Sequence, residues 1–389
     1  MENTLEKLQE KFSLIFSVCD HSKIVNAIVK KSPEEIIDEI TKSGLRGRGG
    51  AGFPTGIKWK AAKEAESHQK YVICNADEGE PGTFKDRKIL RDHSELVLLG
   101  MCAAAKAIGA TTGYIYLRGE YAFLKPQIEE KIKEYNELFK KHSIDFTVRL
   151  RMGSGAYVCG EESALIESIE GNRGEPRNKP PFPVTRGLFN FPTVVNNVET
   201  LAYAAIIVDE GASKFASIGT KDSKGSKMFS ISGDAKIKGV FELPLGMKVQ
   251  ELVDLFSDGD TKAVQIGGAS GFCVPRKLFK ERIIGFEGIP TGGSIILFNS
   301  SRSMYRVLMN YLDFFKEESC GQCTPCRVGC QQLYLGIKAI HSGQKPLQYL
   351  HELQRLASTM AITAKCGLGQ SVANPFISIS EHFKEEICY

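Results

Sequence analysis

The apolar and polar positions of the first half of the chain switch repeatedly between two periods. In "SPEEIIDEITKSG" (32–44), Ile36, Ile37 and Ile40 fall on one face at helical spacing. Ser32 suits the N-cap, Pro33 the first helical position and Gly44 the C′ position, with acids in the first turn. "IKWKAAKEAES" predicts a further helix, "YVICNA" (71–76) a buried strand and "HSELVLLGMCAAAKAIG" (93–109) a long helix with small residues for close packing. Next come a strand in "GYIYLRG" (113–119), a helix with Pro126 in its first turns, a strand in "DFTVRLRMG" and a helix in "GEESALIESIEG". "VVNNVETLAYAAIIVDEG" (194–211) reads as one helix closing the unit. Strands alternating with helices predict an α/β domain with a largely parallel sheet.

The pattern changes near residue 225. "KMFSISGDAKIKGVFELPLG" gives short strands and turns, "KVQELVDLF" a short helix and "AVQIGG" a strand. From 303 onward it is helical. The expected division is an N-terminal helical segment (1–43), an α/β domain (44–225), a small β-rich domain (226–302) and a helical domain (303–389). "PRNKPPFPVTRGLFNFP" (176–192) is too apolar for a linker and is expected to lie ordered against a site.

Composition narrows the function classes. A net charge of +4 over 389 residues, with no concentrated basic run, gives no nucleic-acid footprint. No apolar stretch reaches membrane-spanning length, and the charged N-terminus is no secretory signal, so a cytoplasmic protein without membrane insertion is expected. Eleven cysteines in a reducing compartment are not expected to be disulfides. Six are scattered, Cys19, Cys74, Cys102, Cys159, Cys273 and Cys388, and most are expected to be small buried hydrophobes.

The remaining five carry chemistry. "ESCGQCTPCRVGC" places Cys320, Cys323 and Cys326 at C-x2-C-x2-C, a spacing that aims three thiolates at one cubane. Zinc would use two C-x-x-C pairs or cysteines with histidines, and the seven histidines form no such pair. A [4Fe–4S] cluster is expected, and a zinc-stabilised binding module is the disfavoured competitor. Two candidates stand for the fourth ligand. Cys330 completes the ferredoxin run, but Gln331 rather than Pro follows it and no second ligand set exists. Cys366, in the Gly-flanked "TAKCGLGQ", is favoured, and Cys330 would then pack beside the cluster.

Two loops complete the picture. "GLRGRGGAGFPTGIKW" (44–59) contains G-x-G-x-x-G at Gly47, Gly49 and Gly52, yet follows a helix instead of a strand. "NADEGEPGTFKDR" crowds Asn75, Asp77, Glu78 and Glu80 at a strand's carboxyl end, where α/β sheets bind ligands. In "AYVCGEES", Glu161 and Glu162 open a helix, where acids also suit the dipole.

These stretches, with "NKPPFP" and "NNVETL", occur in an order that closely resembles the FMN- and NADH-binding 51 kDa-type subunits of respiratory complex I. The resemblance runs from about residue 20 to the end. "CGLGQSVANPF" is similar to the hydrogenase and formate dehydrogenase diaphorase branch. It implies a Rossmann-like FMN domain, a ubiquitin-like (SLBB, β-grasp) domain and a helical bundle with one [4Fe–4S] cluster. It implies FMN at Gly47, Arg48, Gly49, Lys58, Asn75, Asp77, Tyr157, Gly160, Glu161, Asn196, Asn197 and Thr200. It implies NAD(H) at Phe53, Glu80, Glu162, Lys179 and Phe182, with Glu80 and Glu162 positioning the nicotinamide. The implied cluster ligands are Cys320, Cys323, Cys326 and Cys366. No general acid or base is required, because the cofactors carry the chemistry.

The implied activity is that of a diaphorase: hydride exchange between NAD(H) and FMN, then single electrons to the cluster. Implied partners are a thioredoxin-like [2Fe–2S] subunit and a catalytic Fe–S subunit such as a hydrogenase or formate dehydrogenase, in a hetero-oligomer. One position departs: the family commonly has an aromatic two residues after the Trp of "KW", and this chain has Ala61. The alternative is therefore an electron-relay or docking subunit whose nucleotide site is degenerate or prefers NADP(H), for which Lys60 and Lys63 could meet a 2′-phosphate.

Overall fold

The computed structural model describes residues 2–387, so Cys388 lies outside the described residues. Helices α1 (Glu2–Phe12), α2 (His21–Lys30) and α3 (Pro33–Ser43) come first. The start of α3 is a full capping box between Ser32 and Glu35, and Gly44 ends it in the left-handed conformation at φ 68°. The glycine loop then leads into α4 (Thr55–Glu64).

The first sheet is built from β1 (Tyr71–Ala76), β2 (Thr112–Leu117), β3 (Thr147–Met152) and β4 (Thr193–Asn197). All pairs are parallel, in the order β3-β2-β1-β4. Helices α5 (Lys85–Asp92), α6 (Ser94–Ile108), α7 (Lys125–Lys141) and α8 (Glu162–Ile169) lie in the connections, and α9 (Val198–Glu210) and α10 (Ala212–Ala216) follow. The chain runs outward from β1 to β3 and returns to place β4 on the other side of β1. The β1/β4 boundary is therefore a topological switch point, where a crevice opens at the carboxyl ends of the strands.

The helix expected over 194–211 is corrected at its start. Residues 193–197 form strand β4, paired along β1, and the helix begins at Val198. Thr193, Val194 and Val195 are a buried β-branched run that suits a strand. Asn197 is the N-cap, its side chain accepting from the Glu199 N–H.

The second sheet is mixed. It contains β5 (Ser226–Gly233), β6 (Gly239–Pro244), β7 (Ala263–Ile266), β8 (Phe272–Pro275) and β9 (Ser294–Phe298), in the order β6-β5-β9-β7-β8. Only β5 and β9 pair in parallel. Helix α11 (Val249–Phe256) buries Leu252, Val253 and Phe256 in this sheet's own core, which also takes Leu5 of α1. The N-terminal segment thus serves two layers, because α2 and α3 pack on α6 and α9.

Six helices end the described chain: α12 (Met304–Glu318), α13 (Thr324–His341), α14 (Tyr349–Thr363), α15 (Gly367–Ser371), α16 (Ala373–His382) and α17 (Lys384–Ile387). Leu308, Leu312, Leu333, Leu353 and Phe376 form their shared interior. No helix among the described residues is long and apolar enough to cross a membrane.

Candidate functional site

The glycine loop closes on itself. The Gly47 N–H donates to the Phe53 carbonyl, and the Thr55 N–H to that of Leu45, both at 2.9 Å. A Cβ on Gly49 would sit 3.3 Å from the Asn197 side chain, so the backbone passes directly over the end of β4. Gly52 adopts φ 66°, and a Cβ there would meet the Phe286 ring at 2.3 Å. The loop is therefore held between the switch point and the second sheet.

A cleft of about 250 Å³ lies beneath it. Of the residues singled out from sequence, Gly49, Asn75, Asp77, Glu80, Tyr157, Gly160, Glu161 and Asn197 line this cleft together. The Asn75 amide donates to the Gly160 carbonyl at 2.8 Å and accepts from the Asp77 N–H at 3.0 Å. Neither carboxylate oxygen of buried Asp77 has a partner. Burial lifts its carboxyl to about 7, with Arg118 pulling in the opposite direction.

Other expected residues stand behind the cleft wall. The Arg48 guanidinium points away, donating to the carbonyls of Lys224 and Ser226, while its backbone N–H donates to the Thr200 hydroxyl. Asn196 accepts from the Trp59 indole at 2.8 Å. Lys58, Glu162, Lys179 and Glu161 form a chain of ion pairs at 3.0, 3.0 and 2.7 Å. Burial would raise Glu162, but the Lys58 and Lys179 ammonium groups outweigh it and hold its carboxyl below the ordinary value. Phe53 and Phe182 are about half exposed, at 50% and 54%. Exposed aromatic faces of this kind can stack on a base.

Glu80 is fully engaged. It accepts from the Tyr157 hydroxyl at 2.6 Å and from the backbone N–H and hydroxyl of Ser270, beyond β7.

Sequence reasoning passed over Lys85 and Asp86, which also line the cleft. The Lys85 ammonium lies 2.6 Å from Asp86 and 2.8 Å from Glu199. Burial works against its charge, but these carboxylates hold its proton above the usual lysine range. Lys227 shares Glu199 at the longer distance of 3.2 Å, and burial prevails there, lowering its ammonium to about 7. The available signal was two charges opening a helix directly after the acidic loop. Gly267 and Ser270 of the turn between β7 and β8, and Gly367 and Leu368 of α15, also line the cleft without any local signal.

Cys320, Cys323, Cys326 and Cys366 rim a second, small pocket, together with Val158 and Leu368. Cys330 does not reach it. It lies one helical turn below Cys326, with the two sulfurs 3.9 Å apart. The hydrogen bond with Cys330 holds the Cys326 thiol down at about 7 and, with burial, pushes Cys330 far up. Among the described residues, no three metal-ligating side chains converge on a point as in a single-ion site. Val158 and Leu368 line both pockets, so the cleft and the cysteine pocket share a wall two side chains wide.

The comparisons with known proteins decide the family. The family described as the Nuo51 FMN-binding domain matches residues 40–205. The NADH-ubiquinone oxidoreductase-F iron-sulfur binding region matches residues 306–388. The chain is 41% identical over 375 residues to NADP-reducing hydrogenase subunit HndC of Solidesulfovibrio fructosivorans, covering 92% of this chain and 76% of that protein. The chain belongs to the family of 51 kDa-type FMN-binding subunits. Within the family it is 43% identical to the NAD-reducing hydrogenase HoxS subunit alpha of Cupriavidus necator, over 94% of this chain and 62% of that protein. It is 40% identical to an NADH-quinone oxidoreductase subunit of Aquifex aeolicus, over 91% of this chain and 85% of that protein. A crystal structure of an NAD+-reducing [NiFe]-hydrogenase in the H2-reduced state superposes with a TM-score of 0.90 at 39% identity, covering 98% of this chain and 65% of that one. The chain thus spans under two thirds of the HoxS protein and of the crystallised hydrogenase chain. It carries the family's FMN-binding domain and [4Fe–4S] region.

Both cofactors fit the residues present. The unpartnered Asp77 oxygens and the open Gly49 backbone offer the acceptors and close approach that a flavin nucleotide needs. Four thiols and no histidine rim the second pocket, the donor set of a cubane.

Proposed function

We propose that this chain is the diaphorase subunit of a larger oxidoreductase, exchanging electrons between a nicotinamide dinucleotide and a [4Fe–4S] cluster. The observation that carries the reading is the shared wall of Val158 and Leu368. A two-electron site and a one-electron site separated by two side chains can exchange electrons without any moving part. We read 44–225 as the FMN domain, 226–302 as the SLBB, β-grasp domain and 303–389 as the cluster bundle, with 1–43 packed across the first two. The separate core of the second sheet and its packed helix support that division.

Asn75, Asp77, Gly49, Gly160, Tyr157, Glu161 and Asn197 would hold FMN from the cleft side, with Lys85 and Asp86 beside them. Gly47, Arg48, Asn196 and Thr200 would hold the loop and strand end in place, and Lys58 would hold Glu162. Bound FMN supplies the conversion between hydride and single-electron chemistry. Glu161 and Glu162 offer acceptors to ribose hydroxyls, and the Lys179 ammonium pairs with both at the rim. Phe53 and Phe182 would flank the dinucleotide, and Glu80, its oxygens already taken by Tyr157 and Ser270, would position the nicotinamide half through the cleft wall that it holds. Cys320, Cys323, Cys326 and Cys366 would bind the cluster.

Partners follow from the relatives, which are named as subunits of hydrogenases and of NADH-quinone oxidoreductase. A thioredoxin-like [2Fe–2S] subunit and a catalytic Fe–S subunit are the expected recipients. Mixing the FMN-loaded chain anaerobically with NADH or NADPH in a stopped-flow spectrophotometer tests the reading. Rapid bleaching of the flavin by one of them is expected. No bleaching by either, with FMN bound, would leave a relay subunit with a degenerate nucleotide site, the outcome that Ala61 makes distinct.

A further inference from the structure

Two side chains outside the proposed ligand set lie against the Cys326 sulfur. The Ser319 hydroxyl lies 3.2 Å from the Cys326 sulfur, and the Cys330 sulfur lies 3.9 Å from it. Cys326 and Cys330 are four residues apart on α13, so one stands above the other on the same helical face. Cys330 is buried at 1% exposure, which keeps water from competing for its thiol. The Ser319 oxygen also accepts from the Gly321 N–H at 3.3 Å, which leaves its proton free to point at sulfur.

In the free chain either partner of each contact could donate. Ligation removes that ambiguity, because a metal-bound thiolate has no proton and can only accept. We propose that Cys330 and Ser319 are hydrogen-bond donors to the Cys326 sulfur and that they raise the cluster's reduction potential. The proposal rests on the ligand set given above. Its physical basis is charge. Reduction adds an electron that is shared onto the ligand sulfurs, and a donor aimed at one of them stabilises the more negative state. The two donors approach the same sulfur from different elements, the end of α12 and the second turn of α13. Of the four pocket cysteines, Cys326 is the most deeply buried, so its donors act with little solvent screening.

Potentiometric EPR titration of the intact, cluster-loaded chain tests this. Compared at the wild-type midpoint, Cys330→Val and Ser319→Ala are each expected to lower the ratio of reduced to oxidised cluster about threefold, the size of one modest hydrogen bond. Cys330→Ser, which keeps a donor, is expected to restore most of the loss. Proton ENDOR of the reduced cluster should lose one exchangeable coupling in Cys330→Val and regain one in Cys330→Ser. An intact cluster with an unmoved potential in both Cys330→Val and Ser319→Ala would overturn the proposal. Loss of the cluster signal in Cys330→Val would also overturn it, by making Cys330 a ligand. Cys366→Ala separates the underlying reading: it should abolish the cluster, and a surviving signal would refute the ligand set itself.

Discussion

Asp77 sits at the end of β1 with both oxygens buried and unpartnered. Its carboxyl is lifted by burial from 3.8 to about 7, against the pull of Arg118. A carboxyl raised in the folded state favours folding below its unfolded value and loses that contribution as pH climbs through the folded value. Flavin-stripped Asp77→Asn should therefore melt like the stripped wild type near pH 4. It should become more stable than wild type by about 4 kcal/mol above pH 7, because the variant never carries the buried charge. Thermal melts across pH 4–8 read the effect, and a constant gap between the two proteins would show that the carboxylate finds a partner. The same residue shows what sequence can reveal. Its place at a strand's carboxyl end and its acidic neighbours were legible, because β1 is a strong local signal. Lys85 and Asp86 were less visible, because their value comes from Glu199, more than a hundred residues away and fully buried between Lys85 and Lys227. Arg48 was legible only in part: its position in the glycine loop pointed at the cofactor, but its guanidinium serves the carbonyls of Lys224 and Ser226.

Among elements, the helices with complete local signals, such as α3 with its capping box and terminal glycine, lie where their sequence places them. Four of the five residues of strand β4 read as helix in the sequence because they run straight into a strongly helical stretch. Its identity is decided by pairing with β1, a non-local contact. The order of the second sheet is decided the same way, since β9 inserts between β5 and β7 with no hairpin to announce it. The small residues of "LLGMCAAAKAIGA" in α6 did carry a usable message. A Cβ at Gly100 would lie 1.9 Å from the Leu201 carbonyl oxygen of α9, so the two backbones touch. Gly100→Ala should destabilise the chain by about 3 kcal/mol, because a backbone atom cannot rotate aside as a side chain would. Urea denaturation measures this. A change below about 0.5 kcal/mol would mean that the helices separate easily.

At the scale of the whole molecule, one carboxylate joins three units. Glu80 belongs to the acidic loop after β1, yet it accepts from Tyr157 before α8 and from Ser270 in the turn between β7 and β8. The Ser270 carbonyl in turn accepts from the Asn374 amide of α16 at 2.9 Å, and the Tyr157 N–H donates to Glu318 at the end of α12. The cleft wall and the cysteine pocket are therefore kept in register by a side chain that sequence reasoning assigned only to the nucleotide. Glu80→Ala would leave the half-buried Tyr157 hydroxyl and Ser270 N–H without their acceptor, at a cost of about 1 kcal/mol each. Glu80→Gln keeps one oxygen, and the two hydroxyls can turn to accept from its amide, so its effect should be smaller. Hydrogen–deuterium exchange should show faster uptake in Glu80→Ala at 77–84, 267–275 and 372–378 together, with β2 and β3 unchanged. Electron transfer to the cluster should slow as the shared wall loosens, while FMN should stay bound, because Asn75, Asp77 and Asn197, the residues proposed to hold it, keep their places. Faster uptake at 77–84 alone would mean that Glu80 holds only its own loop and that the units are aligned by their apolar contacts.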